Sequence, residues 1–140
     1  MEISLKSPSD DAGKLLLRLA VGGLMLFHGV SKLIHGIGWL MGMLNGMGLP
    51  GFIALGVYVG EVVGPILLIF GFKTRLAALV VAFDMLMAVL MVLRNQIFSV
   101  REMGGGWSIE LEAFFFLGAI AIFYLGAGKY SVSRGQGPWD

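Results

Sequence analysis

The sequence predicts an all-α fold, an integral membrane antiparallel four-helix bundle. Three observations lead there. Hydrophobic residues make up 57% of the 140 residues and charged residues only 14%, against about 45–50% and about 25% in soluble domains. The apolar residues gather into four stretches, each close to the roughly 20 residues that a helix needs to cross a bilayer core of about 30 Å. Only Gly71–Thr74 separates the second stretch from the third, so those two must double back on each other. The length suits one domain, expected over residues 1–140. A net charge of +1 gives no electrostatic case for nucleic acid. The absence of cysteine excludes disulfides, Cys-based metal ligation and thiol catalysis by this chain alone.

The first span is expected over about 15–34. Lys6 and Lys14 precede it, as in a signal peptide, but no A-x-A-like site follows and the run holds Arg18, His28 and Lys32. It is read as a retained span. The connection His35–Pro50, apolar and glycine-rich, carries Gly38, Gly42 and Gly46 at four-residue spacing. It is expected as a short interfacial or re-entrant segment covering the bundle, with Trp39 at headgroup level.

The second span, 51–70, carries Gly56, Gly60 and Gly64, a stripe of small residues that lets a neighbouring backbone approach. The same stripe could serve a homo-oligomer contact. Pro65 removes a backbone donor and predicts a kink near mid-span. The third span covers 76–93 and the fourth 109–127. The loop Asn95–Ser108 between them holds Gly104–Gly106 and then Trp107, expected as a flexible stretch ending at an aromatic anchor.

Loop cations set the orientation. Lys6, Lys14, Lys73, Arg75, Lys129 and Arg134 fall on one side; Arg94, Arg101 and the nearby Lys32 fall on the other. Both termini are therefore expected in the cytoplasm, with the chain multi-pass in the cell inner membrane.

Ionisable groups in hydrocarbon cost about 2.5–3.5 kcal/mol each on insertion scales, so they face inward and pair. At a rise of about 1.5 Å per residue, Glu61 and Asp84 both fall near the midplane. His28 and Lys32 lie one turn apart on one helix face. The expectation is one polar cluster of His28, Lys32, Glu61 and Glu112, open toward the outer side, with Lys32 and Glu61 compensating each other. Tyr58 falls at the same level. The bland alternative is an ion-pair network that only fixes helix register. Asp84 either pairs with Arg18 across the bundle or continues a proton path. His28, Glu61 and Glu112 would make a one-His, two-carboxylate metal set, but no paired Glu-x-x-His is present. No metal site is assigned.

The first span reads RLAVGGLMLFHGVSKL, the second and third GEVVGPILLIFGFKTRLAAL, and the end GAGKYSV. In that order these segments resemble the DoxX family of small four-span membrane proteins, over about residues 15–133. Arg18, His28, Gly29, Lys32, Glu61, Gly64, Gly71, Thr74 and Arg75 carry the resemblance, Glu112 fits it, and Pro65 departs from it. The resemblance implies a membrane-embedded redox partner. The family's namesakes are subunits associated with a quinone-reducing thiosulfate oxidoreductase.

Three functions follow as expectations. The first is a quinone-linked subunit, with catalytic roles for His28, Lys32, Glu61 and Asp84, substrate-binding roles for Tyr58, Glu112 and Arg18, and electrons from a partner redox subunit. The second is a non-enzymatic scaffold or assembly subunit whose interface is the glycine stripe. The third is a proton or small-solute conduit.

Overall fold

The computed structural model describes residues 8–140, and Lys6, counted above on the cytoplasmic side, lies outside them. The regular secondary structure of the described residues is helical, apart from one isolated antiparallel bridge, Val100 to Trp107. Helix α1 runs Pro8–His35, starting two turns before the apolar stretch. Asp10 and Asp11 in its first turn complement the positive end of the helix dipole. Helix α2 covers Gly38–Gly46. The next helical segment, α3, covers Gly51–Phe70. Helix α4 runs Thr74–Met91 and helix α5 Glu110–Leu125.

Helices α1, α3 and α4 are long and apolar enough to cross a membrane. The fourth expected span is shorter than predicted. At 16 residues, α5 rises about 24 Å. The helices nonetheless alternate in direction. At one end the backbone N–H of Lys129, beyond α5, donates to Asp11 at 3.0 Å. Val132 and Ser133 N–H donate to Phe70 and Gly71 carbonyls at the α3–α4 turn, at 2.9 and 3.2 Å. Helix α2 and the 95–108 loop lie at the other end.

The tight α3–α4 turn has a local cause. Gly71 takes φ 72° and closes α3, with its N–H and that of Phe72 both donating to the Leu67 carbonyl. Only glycine adopts that conformation without strain. A Cβ there would also sit 2.4 Å from Ser131 Cβ.

Pro65 has the effect expected of it, in a particular form. Residues Val59–Val63 form a π-helical turn directly before Gly64–Pro65. Without an N–H, Pro65 cannot bond the Glu61 carbonyl, so the ladder widens there. Helix α1 packs onto that carbonyl at Gly29, where a Cβ would lie 2.1 Å from Glu61 O.

The glycine stripe is spent inside the bundle. A Cβ on Gly60 would lie 2.4 Å from Asp84 Cβ, and one on Gly64 3.0 Å from Val81. Only Gly56 faces open space. The main core, including Val21, Met25, Leu68, Ala78, Val81, Phe115, Ala119 and Ile122, joins α1, α3, α4 and α5. A second core of Ile37, Leu44 and Ala54 holds α2 against the start of α3. The His35–Pro50 connection is thus a short helix packed on the bundle, and Trp39 is exposed. The second loop is ordered by more than its anchor. Trp107 Nε1 donates to the Ile97 carbonyl at 2.6 Å, and Arg101 N–H donates to Gly106 O.

Candidate functional site

Above the main core, the helices separate around a cavity of about 800 Å³. This is the size range of small-molecule sites, about 300–1,000 Å³. Its walls are mainly apolar, with Met25 and Phe115 from the core, Leu40 and Leu44 from α2, and Phe83 and Met91 from α4. Five polar side chains reach it: His28 and Lys32 from α1, Glu61 from α3, Asp84 from α4 and Glu112 from α5.

Lys32 and Glu61 pair as expected. Lys32 Nζ lies 2.6 Å from both Glu61 Oε1 and Oε2. Glu61 is 3% exposed, whereas the Lys32 side chain keeps 24%. The ammonium has three donors, so one N–H remains for another acceptor. Tyr58 stands behind the pair, its hydroxyl donating to the Lys32 carbonyl at 3.1 Å. It holds the end of α1 without lining the cavity.

Asp84 lies directly over Gly60, the residue before Glu61. Its Oδ2 is buried and has no hydrogen-bond partner among the described residues. Such an oxygen is costly to bury without a partner. His28 is exposed on the cavity wall, its ring edge-on to Phe115 with centroids 6.0 Å apart. Glu112 is half-buried and makes no salt bridge among the described residues. His28, Glu61 and Glu112 do not close to metal-ligand spacing: no group of three His, Cys, Asp or Glu does so among the described residues.

Arg18 is not brought to this site, and it does not pair with Asp84. It is 1% exposed and is held by four backbone carbonyls. Nε donates to Leu68 O at 2.9 Å, and Nη2 to Ile69 O at 3.2 Å. Nη1 donates to Ala127 O at 2.5 Å and to Tyr130 O at 3.0 Å. These are carbonyls at the C-terminal end of α3 and just beyond α5, where helices leave acceptors unsatisfied and the dipole is negative. Arg18 therefore pins the two helix ends together. Asp84, nine residues beyond Arg75, sits about 14 Å further along α4.

Helix α2 and the wall residues Phe83 and Phe115 were not anticipated as parts of the site. Leu40 and Leu44, spaced one turn apart inside the glycine-rich connection, are the sequence signal for α2.

The DoxX family model matches residues 13–94. The chain belongs to the DoxX family. The matched region holds α1 from residue 13 and all of α2 to α4, with Arg18, His28, Lys32, Tyr58, Glu61 and Asp84, and it stops short of α5, Glu112 and the GAGKYSV segment. A relative in Bacillus subtilis (strain 168), named "Putative oxidoreductase CatD", is 32% identical over 84 residues, which is 60% of this chain. The match spans 62% of that relative's length, less than two thirds. No solved structure matches the chain.

Proposed function

We propose that this DoxX protein is a membrane-embedded subunit of a redox complex and that its cavity receives the headgroup of a quinone. The observation that carries the reading is the cavity itself. Four helices contribute polar side chains to one apolar pocket, and one of those residues, Asp84, has a buried carboxylate oxygen with no partner among the described residues. The relative's name supports a redox setting.

A bound quinone supplies two-electron, two-proton chemistry, with electrons from a partner redox subunit. The residues supply contacts and protons. Lys32 donates its third N–H to an oxygen of the headgroup while Glu61 holds the ammonium in place. Asp84 and His28 pass protons at the cavity wall. Met25 and Phe115 close the floor, and the apolar walls take the start of the tail.

We place both termini in the cytoplasm on the loop cations, with α5 as a fourth crossing in the inner membrane. Two glycines of the stripe, Gly60 and Gly64, are packed under α4, and Gly56 faces open space, which favours the quinone reading over a scaffold built on that stripe. The conduit reading meets the main core below the cavity.

The test is extraction of lipids from the detergent-purified protein. Quinone should copurify with the wild type and fall several-fold in Glu61→Gln and His28→Ala. Equal quinone in all three, or none in any, refutes the proposal.

A further inference from the structure

The opposite end of the bundle holds a second pocket of about 260 Å³ that shares no residue with the first. Its character is reversed. Lys14, Arg75, Lys129 and Arg134 line it together with two carboxylates, Asp11 and Asp140. Both carboxylates are engaged by backbone. Asp11 Oδ1 accepts the Lys129 N–H at 3.0 Å, and Asp140 Oδ1 accepts the Thr74 N–H at 3.2 Å. Arg75 donates Nε to the Asp140 carbonyl at 2.8 Å and Nη1 to the Phe123 carbonyl at 3.1 Å. Its Nη2 lies beside Gly126. Lys14, Lys129 and Arg134 make no salt bridge among the described residues. Among the described residues, four cations thus face two side-chain carboxylates in one concavity.

The helices reinforce that sign. Asp11 in the first turn of α1, Lys14 in its second turn and Arg75 in the first turn of α4 reach the pocket near the positive ends of those dipoles. The negative end of α5 is also here. Two carbonyls there, those of Phe123 and Ala127, are already taken by Arg75 and Arg18. On the flank, Leu125 lines the pocket and Leu16 lies two residues beyond Lys14. Both are exposed, at 47% and 70%.

We propose that this pocket binds a phosphate group, carried either by an anionic phospholipid or by a soluble phosphate. Guanidinium forks match phosphate oxygens in pairs, and lysines add point charge. Basic pockets between membrane helices are where anionic headgroups settle. The exposed leucines give acyl chains an apolar flank to follow.

The full chain in a nonionic detergent is titrated with phosphatidylglycerol, phosphatidylcholine and inorganic phosphate, following the thermal midpoint and bound mass by native mass spectrometry. Phosphatidylglycerol or phosphate raises the midpoint, and phosphatidylcholine does not. A response to phosphatidylglycerol alone assigns a lipid headgroup, and a response to inorganic phosphate alone assigns a soluble anion. The Lys14→Gln/Arg134→Gln double variant binds about tenfold more weakly, whereas Arg101→Gln at the other end binds as the wild type does. Equal protection by phosphatidylcholine, no response to either phosphate source, or undiminished affinity in the double variant overturns the proposal. Should the double variant fail to fold, the wild type decides. Its response must weaken several-fold in about 0.5 M salt, and a response unchanged by salt overturns the site.

Discussion

The losses from removing Lys32 and from removing Glu61 should not add. In Lys32→Met, the Glu61 carboxylate keeps its 3% exposure and loses the ammonium 2.6 Å from each oxygen. Stripping a buried charge of its partner costs about 3–5 kcal/mol. Glu61→Gln leaves the ammonium on a side chain that is 24% exposed, free to turn toward the cavity mouth. That change should cost less, about 1–3 kcal/mol. The double variant leaves no unpaired charge and should recover about 2 kcal/mol of the summed loss. The assay is reversible unfolding in mixed micelles for all four proteins of the cycle. Additivity within about 0.5 kcal/mol would refute the pairing.

Three further outcomes follow from packing. Gly60→Ala places a methyl 2.4 Å from Asp84 Cβ; it should lower stability by about 1–3 kcal/mol and reduce quinone retention along with it. Arg18→Met strands four carbonyl acceptors and should destabilise by about 3–5 kcal/mol, with quinone per folded molecule unchanged because Arg18 does not line the cavity. Gly71→Ala forces a side chain into φ 72° and against Ser131, and should lower the thermal midpoint by an amount equivalent to more than about 1 kcal/mol.

How far the sequence carried this reading depended on the kind of signal. Hydropathy found α1, α3 and α4 because a run of about 20 apolar residues has few other uses. It overestimated α5, whose regular turns begin at Glu110 and stop at Gly126. Burial cost brought together Lys32 and Glu61, since neither ion survives alone in hydrocarbon. The same reasoning failed for Arg18, because helix C-termini offer carbonyl acceptors that the sequence does not display as charges. The π turn at Val59–Val63 was legible only as a kink, for Pro65 fixes where a hydrogen bond is lost but not how the ladder repairs itself. Helix α2 was hidden by glycines that weaken helix propensity; its packing through Leu44 on Ala54 is tertiary.

Entry of a quinone headgroup into the cavity between the helices can be read by fluorescence. Trp39 lines the cavity, and Trp107 and Trp139 do not. In a Trp107→Phe/Trp139→Phe protein, titration with a short-chain quinone should quench Trp39 emission saturably, and Asp84→Asn should weaken the binding several-fold. Quenching that rises linearly without saturation, or saturates identically in the Asp84→Asn protein, would contradict the account.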